Sequence, residues 1–436
     1  MADGHIIKNF EELATTALRR DALMIAEAGF EGVDTARALE EMVHFEDGRL
    51  CIGGKICTVE VPERIFFIAV GKCAAASATT IERLLGDRLT RGIVLDVSHS
   101  VMCKDLRLEK IECFMGTHPT PSQSNVDATH QILALLSDLT PRDAVIVLVS
   151  GGGSTLLCQP PAGMTCNDEA DLFKELTHRG ASIQELNTVR KHLSLARGGN
   201  LARAAYPAQV IGLIFSDVPG NSMEFIASGP TVRDTTTIED ARAALARYGI
   251  SHESLPLLET PKEDTYFDHV QNILVVDNTR GLHAMKRKSE ELGYTAHIVT
   301  DAISGEARDV AGRIAGELHA AEPKTALLYG GETVVTIEDA SRADGGRNQE
   351  LAIAALQHIR EGEIIAPFDS DGRDNSDYGG GIADQVTLSH AQEKHASIDE
   401  ALASHASYTF FSKTGDAIVT GETGSNVSDL LVALKS

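Results

Sequence analysis

Lys72 stands one residue past the apolar run Ile65–Val70 and its closing Gly71, where an ammonium reaches over a strand end as a point charge suited to phosphate or carboxylate. A second run, Ala144–Val149, ends in Ser150, Gly151, Gly152, Gly153 and Ser154, and consecutive donors where a helix would begin can cradle an anion. Asn187–Asn200 carries Arg190, Lys191, His192 and Arg197 with no acid; read as one helix, it sets Arg190 and Arg197 a heptad apart on one face. Arg347 follows two glycines and directly precedes a helical pattern, Asn348–Ile359, so its guanidinium can clamp two phosphate oxygens beside helix N–H groups. Asp217 ends the buried run Val210–Phe215, where an acid is costly unless hydrogen-bonded or metal-bound. Asp234, Glu332 after Gly330-Gly331, and Asp369, Asp371, Asp374 and Asp377 add further carboxylates. The last four lack the spacing and closing Glu of an EF-hand and are not read as a calcium loop. Plainer readings stand beside each of these: a solvated lysine, glycines as tight turns and C-caps, cations paired with surplus acids, an aspartate capping a turn. His118-Pro119 and Ser228-Gly229-Pro230 read as rigid loop corners.

Several catalytic signatures are missing. Gly71-Lys72 is followed by Cys73, so there is no GxxxxGK[ST], and GxGxxG, GxSxG and HExxH are absent as well. A P-loop NTPase, a Rossmann dehydrogenase of the usual kind, an α/β-hydrolase and a zincin are thereby demoted.

The elements that must position these residues follow from hydrophobic period. Ile65–Val70, Ile93–Val97, Ala144–Val149 and Val210–Phe215 read as buried parallel strands, alternating with helical patterns at Phe10–Ala28, Ala74–Leu85, Val126–Leu136 and Ile183–Tyr206. That is a doubly wound α/β layer sandwich. After Pro230 the chain turns polar, through a short helix Ile238–Tyr248 and a stretch with Pro and acids, and the domain boundary is placed there: 1–250 and 268–436. A second series follows, with strands Ile273–Val276, His297–Thr300, Ala326–Tyr329 and Thr333–Ile337, and helices Leu282–Leu292, Ala307–Leu318 and from Asn348.

The 436 residues carry 39 Lys+Arg against 63 Asp+Glu, a formal charge of −24 that argues against a nucleic-acid or anionic-membrane surface while leaving room for a small anionic substrate. With 43% hydrophobic residues the chain can bury real cores. No apolar run approaches the roughly 18 residues of a membrane span and the first helix pattern is polar, so a cytoplasmic address is expected. All seven cysteines precede residue 170 without a CxxC pair, which predicts free thiols in a core rather than disulfides or zinc.

Taken in order, AVGKCAAASA, THPTPSQSNVDA, LVSGGGSTLL, LNTVRKHLSLARGGNLA, SDVPGNSMEFIASGPTVRDTTT, YGGETVVTI, GGRNQELAIAAL, SDGRDNSDYGGGIAD and TGDAIVTGETGSNVSDL resemble the class II glycerate 2-kinases, the MOFRL family, some of whose members have been labelled hydroxypyruvate reductase. The resemblance implies an N-terminal Rossmann-like domain, a C-terminal α/β domain containing the MOFRL region, and an active site in the cleft between them. It further implies ATP-dependent phosphorylation of the 2-hydroxyl of D-glycerate to 2-phosphoglycerate, with Mg²⁺ as cofactor. Lys72 and Arg347 match the family's essential lysine and arginine, and Asp217 and Glu332 match acids at the site, either of which is a candidate metal ligand. Ser150, Gly151, Gly152, Gly153, Ser154, Arg190, Lys191, Gly331, Glu332, Asp371 and Asn426 lie in segments that bind substrate or ATP in that comparison. Phosphoryl transfer needs positioned phosphates and neutralised charge more than covalent chemistry, and this residue set suits it. The chain departs from the family at Asn221, usually Asp, at Glu422, usually Pro or similar, and at Asp369-Ser370 and Asn375-Ser376. These changes leave a related short hydroxy acid, an aldonate, as an alternative acceptor, with hydroxypyruvate reduction a further alternative. A homodimer is also allowed.

Overall fold

The computed structural model of the chain describes residues 4–54, 56–97, 100, 103–104, 106–251, 253–337 and 343–436. They form two compact units, one made of residues 35–276 and the other of residues up to 34 together with 277–436.

The first unit opens with the helix Thr35–Met42, followed by a small antiparallel sheet of β1 (Val43–Glu46), β2 (Arg49–Ile52) and β3 (Ile56–Cys57). Its main sheet comprises β4 (Arg64–Val70), β5 (Leu89–Val97), β6 (Ile111–Gly116), β7 (Asp143–Val149), β8 (Gln209–Phe215) and β9 (Val270–Val276). The strand order is β6-β5-β4-β7-β8-β9, and every pair is parallel. The central strands are apolar on both faces because helices cover both, as the unbroken runs FFIAV and AVIVLV require. The order reverses between β4 and β7, and in such a sheet ligands are held outside the carboxyl ends at that point.

The second unit carries a mixed sheet of β10 (Thr295–Ile303), β11 (Thr325–Gly331), β12 (Glu363–Asp369), β13 (Gly380–Gly381), β14 (Ala417–Ile418) and β15 (Asp429–Lys435), in the order β10-β11-β15-β12-β13-β14. Only β10 and β11 are parallel; β15 runs antiparallel to both β11 and β12.

The units do not divide where the polar stretch at 250–268 suggests. β9 completes the first sheet, and the early helix Ala17–Gly32 belongs to the second unit. That helix buries Leu23, Ile25, Ala26 and Phe30. Its Gly29 and Gly32 let the helix Asn278–Glu291 come close, since an added Cβ would meet Met285 at 3.0 Å and Ala284 at 2.8 Å. Arg19 of the same helix is buried and doubly bonded to Asp384 at 2.6 and 2.7 Å, with Asp416 at 2.8 Å.

Three local expectations need correction. The pattern Ile183–Tyr206 is two helices, Ile183–His192 and Asn200–Ala205, because Gly198 and Gly199 take positive φ and no helix carries that pair. Thr333–Ile337 is not a strand: Val334 makes a single bridge to Glu306, and Val334 and Ile337 are 54% and 43% exposed. Four cysteines are not free. Cys51 faces Cys57 across β2 and β3 in a disulfide, and Cys103 pairs with Cys113, while Cys73, Cys158 and Cys166 are the buried thiols. The β-ladder makes the first pair adjacent, which linear spacing does not reveal. Among the described residues no helix is long and apolar enough to cross a membrane.

Candidate functional site

In the first unit the loops after β4 and β7 are stitched together. Lys72 N–H donates to Gly151 C=O at 3.0 Å, Ser150 N–H to Val70 C=O at 3.0 Å, and Cys73 N–H to the Ser150 hydroxyl at 3.1 Å. Gly71 is required, because its φ is +123° and a Cβ would fall 2.2 Å from the Ser150 Oγ. A Cβ on Gly152, at φ +81°, would lie 3.4 Å from the His118 ring and 3.7 Å from Lys72 Cγ. Lys72, Gly152 and His118 therefore converge. Ser150 is fully buried and spends its hydroxyl on this stitch instead of offering it outward. Asp96, buried at the end of β5, accepts from the N–H groups of Ala75 and Val97 at 2.8 and 2.6 Å and so holds the start of the helix that follows Lys72. Sequence reading missed it, although an acid closing a buried strand was the same signal that marked Asp217.

Asp217 is half-buried two residues past β8. It is near enough to Cys73 that its charge adds to the rise of that thiol, which burial, first of all, pushes up to about 12. Next along, Gly153 packs against Ala227, and the Ser154 hydroxyl lies 2.9 Å from that of Ser228.

The cationic segment divides by role. Lys191 is 2% exposed, with its ammonium 3.2 Å from Asp234 and 3.7 Å from Glu224. Burial pushes the Asp234 carboxyl up, but Lys191, Thr236 and Lys262 outweigh it and hold it below its ordinary value. The Lys191 charge is thus committed within the fold. Arg190 lies over the Phe173 ring at 4.5 Å, and burial together with neighbouring Arg197 pushes its guanidinium down to about 10. Arg197 is fully buried and ion-paired to Glu169 at 2.8 Å; with the helix ended before it, the heptad face does not form.

In the second unit Arg347 begins the helix Arg347–Leu356, on Gly346 as cap. Its guanidinium makes a two-pronged bond to Asp429, Nε at 2.6 Å and Nη2 at 2.9 Å, while Nη1 reaches Glu332 at 2.5 Å and Nη2 reaches Asp369 at 3.4 Å. Asp369 and Asp429 are directly opposed in the β12–β15 ladder. Burial works against the Arg347 charge, and Asp429, then Glu332 and Asp369, more than offset it, raising its affinity for the proton. Gly331 delivers Glu332: at φ +129° its Cα passes so close to β10 that a Cβ would sit 2.3 Å from Ile303 N. Behind Arg347, buried Asp374 accepts from the N–H groups of Asn348 and Gln349 at 3.2 and 2.8 Å. Burial, and next Asp429, push its carboxyl up to about 7.

Asp371 accepts from Arg373 N–H at 2.8 Å, and its C=O accepts from Thr423 N–H at 3.2 Å. Ser370 joins this turn to the loop of Asn426, accepting from Val427 N–H at 2.9 Å and, through its C=O, from Thr423 at 2.6 Å. Asn426 is buried in that loop. Asp429 was missed in sequence, where it reads only as the polar start of DLLVAL.

Among the described residues, one group of three metal-capable side chains converges, His44, Glu46 and Cys51, and there Cys51 is spent in its disulfide. Asp217 and Glu332 each offer one carboxylate from a different unit. A Mg²⁺ carried mainly on nucleotide phosphates needs as few as one such oxygen, so either carboxylate by itself has the chemistry to hold it.

The family described as "Domain of unknown function (DUF4147)" matches residues 21–259, and the MOFRL family matches residues 325–429. The glycerate 2-kinase of Pyrococcus horikoshii is 34% identical, covering 96% of this chain and 97% of its own. A relative from Agrobacterium vitis, 36% identical over 85% of this chain and 87% of its own, carries a hydroxypyruvate reductase label. The crystal structure of glycerate kinase from Thermotoga maritima matches with a TM-score of 0.81 at 33% identity, over 94% of this chain and 98% of that one. Two regions in that order, a two-sheet α/β fold shared with a solved glycerate kinase, and near full-length identity above 30% place the chain in the class II glycerate 2-kinase family.

Proposed function

We propose that the chain transfers the γ-phosphoryl group of ATP to the 2-hydroxyl of D-glycerate, giving 2-phosphoglycerate and ADP. The observation that carries the reading is the stitched pair of loops after β4 and β7, which fixes Lys72 beside Gly152 and His118 at the point where strand order reverses. There the Lys72 ammonium meets phosphate oxygens as a point charge. Asp217, at the next strand end, orients the 2-hydroxyl and takes its proton as the new O–P bond forms. Arg347 spreads charge away from the transferring group, its plane held by Asp429. Bound Mg²⁺ would neutralise the phosphates, with Asp217 or Glu332 as its protein ligand. In this reading the enzyme acts on soluble metabolites of carbohydrate metabolism in the cytoplasm, without nucleic acid or membrane, and light scattering decides whether it is a homodimer.

The test is a panel of D-glycerate, L-glycerate, D-erythronate and hydroxypyruvate with ATP and Mg²⁺, following ADP and assigning the product by phosphorus NMR. D-Glycerate should give 2-phosphoglycerate. Turnover confined to D-erythronate would move the reading to an aldonate kinase, and oxidation of NADH or NADPH with hydroxypyruvate in place of ADP release would replace it with the reductase.

A further inference from the structure

Three side chains in the first unit form a hydrogen-bond chain whose direction is fixed at its buried end. Asn187 Nδ2 donates to Ile183 C=O at 3.0 Å, and a carbonyl can only accept, so the Asn187 amide is held one way round. Its Oδ1 faces the Ser228 hydroxyl at 2.7 Å, so Ser228 donates there. A serine hydroxyl has one hydrogen. The 2.9 Å contact between Ser228 and Ser154 must then be made by the Ser154 hydrogen, with Ser228 accepting. The middle of the chain cannot turn to escape this. Ser228 is fully buried at φ +58°, its N–H donates to Phe225 C=O at 3.1 Å, and its C=O accepts from Gly198 N–H at 2.9 Å.

Ser154 is half-buried, and its only hydrogen points inward. We infer that the Ser154 oxygen, at the end of the glycine loop that flanks Lys72, is an acceptor that recognises a hydroxyl group of the bound ligand and cannot donate to a phosphate or carboxylate oxygen. This reverses the donor role that the SGGGS pattern suggests. Ser228 and Asn187 are positioning residues that set the polarity. The inference rests on the kinase reading for the identity of the ligand, whose hydroxyl comes either from the acceptor acid or from the nucleotide ribose.

Calorimetric binding to the full chain separates these sources. The pairs are D-glycerate against D-lactate and 3-hydroxypropionate, each lacking one hydroxyl, and ATP against 2′-deoxy-ATP and 3′-deoxy-ATP. Ser154→Ala should weaken one hydroxyl-bearing ligand roughly five- to tenfold, the worth of one neutral hydrogen bond, and leave its matching deoxy analogue unchanged. Ser154→Thr, which keeps the oxygen, should retain that discrimination. The inference is overturned if Ser154→Ala weakens no ligand, if it weakens a ligand and every deoxy analogue equally, or if Ser154→Thr loses as much as Ser154→Ala. Absence of ADP formation by the wild type with every acid would sink the kinase reading alone, because the binding comparison needs no turnover. Failure of the wild type to bind any of these ligands would sink both.

Discussion

Arg347 faces three carboxylates, and its two-pronged bond to Asp429 fixes the plane of its guanidinium, the group that meets phosphate oxygens in the proposed reaction. Arg347→Ala should lower kcat/KM about 10²- to 10³-fold with circular dichroism unchanged. Arg347→Lys should recover little of that, because an ammonium cannot hold Asp429 with two parallel bonds. Steady-state kinetics on both variants decides it. Asp374 makes a prediction about stability. Its carboxyl lies near 3.8 when unperturbed and is pushed up to about 7 in the fold. The stability linked to this proton is fully present below the unfolded value and is lost as pH rises through about 7. Urea unfolding should therefore show the wild type weakening between pH 5 and pH 8. Asp374→Asn, though less stable at both because its amide cannot accept both N–H bonds, should change less across that interval. An equal slope in the two proteins would refute it. The positions of Lys72 and Arg347 at element ends were legible in the sequence because each follows a glycine there. Asp429 was not, because an acid at the head of an apolar strand acquires meaning only when the β12–β15 ladder sets it against Asp369. Ser228 was seen as a loop corner, but its link to Ser154 joins residues 74 positions apart.

The stitched loops behave as one element although they belong to different βα turns. Gly71→Ala should cost several kcal/mol, since backbone strain of about 1–3 kcal/mol adds to the collision with Ser150 Oγ. Gly163→Ala is the matched comparison: its φ is +90°, but nothing lies within 4 Å of the added methyl, so only the strain remains. Chemical denaturation of both should separate the two costs, and equal losses would mean that the close approach carries no energy. Strand and helix centres were legible wherever one side of the pattern was unbroken, as at Ala74–Leu85. The approach of Gly198 and Gly199 to the Ser228-Gly229 turn, which ends the long helical pattern early, is tertiary and has no periodic signature. Thr333–Ile337 misled for the opposite reason: β-branched residues favour a strand, but among the described residues the segment makes only the one bridge to Glu306.

At the scale of the molecule, the formal charge of −24 argues against polyanionic partners, but it could not reveal how the two units are threaded. The polar stretch at 250–268 looked like a boundary because composition records exposure, whereas β9 joins the first sheet by register. In the second unit β15, the last strand of its sheet in sequence, lies between β11 and β12, and the early helix Ala17–Gly32 packs on the same sheet. Deleting residues 429–435 should therefore unfold the second unit outright, with its tryptic fragments released early, rather than fray an edge; survival of that unit in limited proteolysis would contradict this. The threading also sets a timetable on the ribosome. About 400 residues separate the apolar face of Leu23, Ile25 and Phe30 from the strand it covers, which at roughly ten residues per second is a wait of about forty seconds. Helix Asn278–Glu291, which packs against the same helix, leaves the ribosome long before β15, so the first unit can close early while the helix pair waits for the sheet that completes its core.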